Sequence, residues 1–443
     1  MISFWPLRVA LRLVAKNGTR ELRSAILAIG LSLIPLVLVL HVSDGMIRGI
    51  VDRFIEAGTY HIQLRPPRGV DSLELLESTE ACNALDEVTL CAPEIQGVAL
   101  AYAPEGRAGV TVRGVATNLW DQDPGLRRYI DISEGAFDLS GSRNAVLGVA
   151  LAERLGVGAG DRIRLLTARV AQTGALLPRV TTLEVVGVAS SGYRELDRLW
   201  IFLPFSTAAR LLPEASSRSL IGIKIDAPYA LENPLLRQGD AAEGRRILRR
   251  LRNLTGIDWS VYTWFDAERA RYMSFLTTKN LLLFIMALIV VVASINISSS
   301  LVIMVLDRQW EIGILKSTGA TPTDIVVLFV SGGFLIGGLG AAVGLLFGVF
   351  LSVNINTILL GIEGTLDRLA AFVAWGLSPF RPGAVQAVDL LNQDFYLETV
   401  PIRLSFGPLG LVAGGTILLA TVAALVPALR AAATRPVEAL RRH

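Results

Sequence analysis

Four stretches of the 443-residue chain carry no Asp, Glu, Lys or Arg: Ser24 to Ser43, Asn280 to Leu306, Ile325 to Ile362 and Leu404 to Leu429. Each reaches or exceeds the ~20 residues that a helix needs to cross a ~30 Å hydrocarbon core. Other uncharged runs, such as Leu199 to Ala209 and Leu369 to Phe380, are too short to span. The pattern predicts transmembrane helices over 24–44, 279–306, 324–353 and 407–430. Between the first two the character changes. His61 to Leu64, Val110 to Arg113, Arg162 to Leu165 and Ile223 to Ile225 alternate apolar with polar residues, which predicts strands. Helical segments intervene at Ala150 to Leu155 and Ala241 to Leu251. The expected fold is an integral membrane protein with four transmembrane α-helices and a large mixed α+β extracytoplasmic domain, 45–278, between the first and second.

Composition agrees, with 52 % hydrophobic and 18 % charged residues against roughly a quarter charged in soluble domains. Charge sets the orientation. Arg8, Arg12, Lys16, Arg20 and Arg23 precede the first span against Glu21 alone, and Arg430, Arg435, Arg441 and Arg442 follow the last against Glu438. The positive-inside rule places both termini, 1–23 and 431–443, in the cytoplasm. Alternation then puts 307–323 inside and the acid-rich 354–406 loop outside. Arg8, Arg12, Lys16 and Arg20 lie opposite Phe4, Leu7, Leu11 and Val14 at helical spacing, as in an amphipathic helix on the inner leaflet; a frayed basic tail is the alternative. The first apolar run is too long and too far from Met1 for a cleaved signal peptide, so it is expected to remain as an anchor. A net charge of +3 concentrated at the membrane ends gives no sign of a nucleic-acid partner.

Little in the chain points to catalysis. The four lysines, Lys16, Lys224, Lys279 and Lys316, include none in a Gly-x-x-x-x-Gly-Lys-Ser/Thr loop, since Leu315 precedes Lys316-Ser317. No Gly-x-Ser-x-Gly elbow or His-Glu-x-x-His helix occurs. His41, His61 and His443 are scattered, and no metal-ligand cluster or catalytic set is expected. Cys82 and Cys91 fall in the outer domain; a disulfide is allowed in an oxidising compartment, and two separate buried thiols are the other reading. Within the spans, Gly333, Gly337, Gly340, Gly344 and Gly348 form a small-residue stripe suited to close helix packing. Asn296 is expected to face another helix, and Pro35 interrupts the first span.

The short polar stretch "EIGILKSTGA", residues 311–320, lies between the second and third uncharged runs. Trp310, Ile314 and Leu315 share one side at helical spacing, and Gly319 supplies a stop. Thr321-Pro322-Thr323-Asp324 reads as an N-cap, a proline at the first position and a first-turn acid. Either this is a solvated turn, or a short helix that docks a cytoplasmic partner.

Here the sequence resembles a family. "NISSSLVIMVLDRQWEIGILKSTGATPTDI" is similar to the segment after the second span of the lipoprotein-releasing (Lol) permeases, ABC transporter subunits related to MacB and FtsX. "VSDGMIRGIVDRFIEAGTYHIQL", "AVLGVALAERLGVGAGDRIRLL", "LEVVGVASSGYRELDRLWIFLP" and "DFYLETVPIRLS" through "PALRAAATRPVEALR" resemble further family segments in the same order. Gly192-Tyr193 and Tyr396 to Arg403 favour the Lol branch over MacB-like efflux or FtsX-like signalling permeases.

The resemblance implies a bacterial inner-membrane permease working as a pair, with a second copy or a paralogue. Each permease docks on a separate ATPase subunit that carries the ATP and Mg; the chain itself is expected to hold no cofactor. Trp310, Glu311, Ile312, Lys316 and Gly319, with Arg435, Pro436, Glu438 and Leu440 of the tail, are the implied coupling residues. A lipoprotein would be held between the first and second spans and expelled outward to a periplasmic lipoprotein chaperone. Leu36, Leu40, Phe284 and Met286 are its candidate acyl contacts, membrane lipid being their other neighbour. In the place of the family's chaperone-recruiting hairpin, Thr167 to Gly187 has a Thr173-Gly174 turn followed by Leu177, Pro178 and Arg179. Those three are the candidate grip; a plain hairpin connection is the alternative.

Overall fold

The computed structural model describes residues 20–67, 70, 72–170, 176–213, 217–231, 241–255, 258–307, 309–377, 402, 404 and 406–433. They form two units, one within Ile47–Ser274 and the other built from the apolar helices before Met46 and after Phe275.

The outer unit is organised by ten strands: β1 (Ile62–Arg65), β2 (Val88–Tyr102), β3 (Arg107–Val115), β4 (Asp131–Gly135), β5 (Asn144–Gly148), β6 (Arg162–Val170), β7 (Leu176–Ser190), β8 (Trp200–Pro204), β9 (Ser217–Ile225) and β10 (Ser260–Thr263). They make one mixed sheet in the order β10-β1-β9-β2-β3-β8-β5-β7-β4, with β6 paired to β2 and β7. The pairs β3–β8 and β5–β7 are parallel. The four alternating segments of the sequence lie in β1, β3, β6 and β9, and the two helical ones in Val149–Leu155 and Ala241–Thr255. One apolar core gathers Val112, Leu147, Leu165 and Ile201; a second gathers Ile62, Leu64, Ile223 and Trp264. The cysteines are joined: Cys82, on the helix Ser72–Asn83, bonds Cys91 on β2, with Cα atoms 6.2 Å apart. Asn83 brackets the bridge by accepting from the Cys91 amide at 2.8 Å.

Two buried polar groups hold the sheet to the segment that leads into it. Arg113 on β3, 2 % exposed, makes a bidentate pair with fully buried Glu94 of β2 at 2.7 and 2.8 Å. Its guanidinium also lies over Trp200, 4.9 Å from the ring centre. Burial of both charges is tolerable because each hydrogen-bonding group meets the other's geometry. Tyr60, at φ 57° in the left-handed region that L-residues rarely enter, is fixed by donating its hydroxyl to Glu94 at 2.7 Å. Beside it, Lys224 of β9 donates to Glu56 at 2.8 Å and to Asp123 at 2.8 Å. The Ile225 amide donates to Nδ1 of His61 at 2.9 Å, so Nε2 carries the proton that Glu56 accepts at 3.1 Å.

In the membrane unit α1 (Arg20–Arg53) continues through Pro35. α2 (Trp264–Asp307), α3 (Gln309–Ser317), α4 (Pro322–Val353), α5 (Ile355–Leu377), α6 (Phe406–Ala423) and α7 (Leu425–Ala433) follow. Among the described residues, four helices are long and apolar enough to cross a membrane: Arg23–Thr59, Trp264–Ile295, Pro322–Val353 and the combined Phe406–Ala433. The first two extend well beyond the uncharged runs that mark the expected spans. α5 occupies part of what reads in sequence as a loop, because its Glu363, Asp367 and Arg368 break the uncharged pattern without breaking the helix. The N-terminal amphipathic helix lies outside the described residues, apart from Arg20–Arg23 within α1.

Burial alone would raise the Glu56 carboxyl, but the His61 hydrogen bond and the Lys224 charge outweigh it and hold the group at about 2, below its ordinary 4.5. A carboxylate depressed in this way stabilises the fold fully above pH 4.5, and that contribution fades as pH falls towards 2. We therefore expect the thermal midpoint of the intact chain in detergent to exceed that of Glu56→Gln by a constant margin above pH 4.5. The margin should shrink towards zero as the pH is lowered to 2.

Candidate coupling site and its helix supports

α3 is delimited at both ends by its own backbone chemistry. Gly319, at φ 103°, closes the helix in a Schellman turn: its amide donates to Lys316 O at 3.2 Å, and the Ala320 amide to Leu315 O at 2.9 Å. Two residues later Thr321 and Asp324 form a reciprocal capping box at the start of α4, with Pro322 in the first turn. The 318–321 connection is thus set by adjacent helix caps.

Packing then fixes which face of α3 turns outward. Ile312, 2 % exposed, enters a cluster with Val305, Ile325, Phe329, Ala428 and Ala431, drawn from α2, α4 and α7. Lys316 donates to Ala432 O, at the C-terminal end of α7, at 2.5 Å, where a helix dipole favours a cation. Trp310 is 49 % exposed and Ile314 36 %, and Glu311 is exposed beside them. Among the sequence candidates, the structure therefore divides two roles. Ile312 and Lys316 mount the helix, while Trp310 and Glu311 present a surface. Arg435, Pro436, Glu438 and Leu440 lie outside the described residues.

The supports beneath α3 depend on glycine. A Cβ on Gly337 would meet Ala420 Cβ of α6 at 2.6 Å. Farther along α4, Cβ atoms on Gly340, Gly344 and Gly348 would meet Ile29, Leu33 and Val37 of α1 at 2.7–2.8 Å. One stripe thus serves two partners, the first half of α4 packing on α6 and the second half on α1. Toward the far end of α4, Ser352 and His41 of α1 share a 3.3 Å hydrogen bond. Lys279 of α2 pairs with Asp44 of α1. These charged and polar residues were not singled out from sequence, although Asp44 and Lys279 are the first charges beyond two uncharged runs. The Asn296 side chain lies outside the described set.

Of the candidate acyl contacts, Leu36 and Leu40 are buried at 7 and 6 %. Leu36 sits in a cluster that Met286 flanks, whereas Phe284 points outward at 62 % exposure. Leu281, Leu288, Val292 and Ile295 accompany it, leaving one flank of α2 bare.

In the outer unit, β6 and β7 form the hairpin, paired from Arg162–Glu184 to Val170–Leu176. The 171–175 connection, with the Thr173-Gly174 turn, lies outside the described residues. Leu177, 51 % exposed, and Pro178 and Arg179 are all at the surface, and Arg179 donates to Arg210 O at 2.9 Å. Pro178 offers no N–H to a further strand, which protects this edge from chance pairing.

Two regions of the chain match known families. Residues 24–233 match the MacB-like periplasmic core domain and residues 283–436 the FtsX-like permease C-terminal region. The chain is 27 % identical to the lipoprotein-releasing system transmembrane protein LolC of Neisseria meningitidis, over 97 % of both chains. It is 25 % identical to LolE of Haemophilus influenzae, over 75 % of this chain and 73 % of that one. The crystal structure of the periplasmic region of MacB from Actinobacillus actinomycetemcomitans aligns at 13 % identity and a TM-score of 0.31, covering 49 % of this chain and 94 % of that one.

The two matched regions and the full-length relatives define a permease of the MacB/FtsX superfamily, an inner-membrane protein with a periplasmic-type domain. Within it, the chain belongs to the lipoprotein-releasing (Lol) permeases and is a permease subunit of an ABC transporter.

The glycine contacts generate a paired prediction. In Gly344→Ala the new methyl meets Gly30 O at 2.8 Å, a backbone atom that cannot swing aside. That substitution should cost about 1–3 kcal/mol, read as a lowered unfolding midpoint of the purified chain. Gly332→Ala, on the same helix with open space around it, should not lower the midpoint.

Proposed function

We propose that this subunit releases lipoproteins from the outer leaflet of the inner membrane to a periplasmic carrier, driven by ATP hydrolysis on a separate ATPase subunit. The observation that carries the coupling reading is α3 itself. A capped helix anchored by Ile312 and Lys316 presents Trp310, Glu311 and Ile314 on a firm base. Force applied to such a surface passes to α2, α4 and α7, because all three contribute to the cluster beneath it. In this reading both termini and α3 face the cytoplasm. Arg435, Pro436, Glu438 and Leu440 extend the docking surface, and ATP with Mg stays on the partner.

The bare flank of α2 supports pairing with a second permease copy or a paralogue. Phe284 faces the substrate's acyl chains there, while Leu36, Leu40 and Met286 form the wall behind. On the outer unit, Leu177, Pro178 and Arg179 grip the carrier. The hairpin presents them in one short surface segment.

The test is assembly with the ATPase. Glu311→Lys reverses a charge on the exposed face and leaves Ile312 and Lys316 in place. Co-purification with the ATPase should weaken about tenfold or more, since reversing a charge within a docking face disturbs its electrostatic complementarity. Lipoprotein release should fall with it. Retention of a stable complex and full ATPase stimulation in Glu311→Lys combined with removal of residues 434–443 would overturn the coupling assignment.

A further inference from the structure

The segment "SSGYREL" in the outer unit matches no role assigned above, yet both helices that lead to the membrane converge on it. From the end of α1, Arg53 donates to Ser191 O at 2.7 Å. Phe54, the next residue, packs edge-on against Tyr193 with ring centres 5.7 Å apart. From the start of α2, Arg271 places its guanidinium 4.3 Å from the centre of the Phe54 ring. The same guanidinium lies 3.6 Å from Glu195 and 3.2 Å from Glu268. Tyr193 donates its hydroxyl to Glu195 at 2.5 Å, so the carboxylate that faces Arg271 is itself aimed. The loop is firm, because the Ser191 amide donates to buried Asp197 at 2.9 Å. Gly192 turns it at φ 66°.

The position of this cluster along α2 gives it meaning. Within the 44 residues of α2, Glu268 alone has non-helical backbone angles, φ −111° and ψ 16°. The helix is therefore broken at Glu268 and continuous from there to Asp307. A bend of this kind absorbs displacement unless something bridges it. Arg271 sits one turn past the break and bridges it three ways: back to Glu268, across to Phe54 of the α1 side, and to Glu195 of the loop. The ion pairs are partly exposed, with Arg271 and Glu195 side chains 37 and 51 % accessible. Such pairs add little to stability. Their planar, directional geometry suits holding a position more than holding a fold.

We infer that Arg271 is a positioning residue for release. With Phe54, Tyr193 and Glu195 it forms a latch across the Glu268 break, so that movement of α2 is delivered to the outer unit instead of being lost in the bend. The inference rests on the proposed ATP-driven release and adds the point at which motion is handed over. Glu195 and Phe54 are the parts of the latch that can be altered with the least disturbance to α2.

The experiment uses the full transporter with its ATPase in lipid nanodiscs, a triacylated reporter lipoprotein and the periplasmic carrier. Arg271→Gln should reduce release about tenfold while ATP hydrolysis and the thermal midpoint stay at wild-type values, a loss within the range for residues that carry coupling. Glu195→Gln, which keeps size, and Phe54→Leu, which removes the ring beneath Arg271, leave the sequence of α2 unchanged and should each give a smaller loss of the same kind. A second readout needs no lipoprotein. Spin labels at Ser274→Cys and Leu199→Cys, both exposed, report the separation of α2 from the loop through the ATP cycle. That separation should stay fixed in the otherwise unaltered chain and change with ATP in Arg271→Gln. Wild-type release by all three variants overturns the latch. So does a label separation indifferent to Arg271→Gln, or loss of release only in step with hydrolysis and midpoint. If the unaltered transporter hydrolyses ATP but frees no lipoprotein, the functional reading fails, and the label separation still decides the latch.

Discussion

Close approach of helix backbones around α4 is the constraint on which the membrane unit depends. Apolar side chains gain little by leaving lipid for one another, so helices in a bilayer associate through contact and short-range packing. Five glycines on one stripe let α4 take α6 on its first half and the Ile29, Leu33 and Val37 row of α1 on its second. Once those neighbours are fixed, the ends of α2, α4 and α7 meet in the Val305, Ile325 and Ala428 cluster, and α3 can be seated on it. The exposed face of α3 therefore inherits its position from contacts far along the helices.

The outer unit solves a different problem. Its sheet is joined to an entering segment by buried charge, Arg113 with Glu94 and Lys224 with Glu56 and Asp123. Desolvation offsets part of the Coulomb gain in each, and at Glu56 the His61 bond and the Lys224 charge outweigh it. Each does specify geometry closely. The Tyr60 hydroxyl reaches Glu94 only with its backbone in an uncommon conformation, so the turn from the α1 side into β1 has little latitude.

Much of this was readable in the residues. Uncharged runs located the four long apolar helices because each run overlaps one of them, and alternation located β1, β3, β6 and β9 because one side of each strand is buried. The capping box at Thr321 and the Gly319 stop were legible for the same local reason. What escaped was set by long-range packing. The sequence does not say that Ile312 points inward while Trp310 points outward, because both lie on a helix whose burial depends on Ala428 and Ala431 more than a hundred residues away. The reach of α2 back to Trp264 was hidden by its charged first turns, and α5 by Glu363 and Asp367. The Arg271 cluster combines residues from three distant segments that carry no shared pattern.

The Schellman turn and the capping box also bear on how the transporter comes together. Both ends of the connection between α3 and α4 are satisfied from within, so its local backbone shape is set without an outside partner. In the proposed assembly a docking partner meets this connection already formed, and little free energy is lost to ordering it. Recognition should then proceed as encounter between rigid bodies, at a rate governed by diffusion and orientation, with no folding step to wait for.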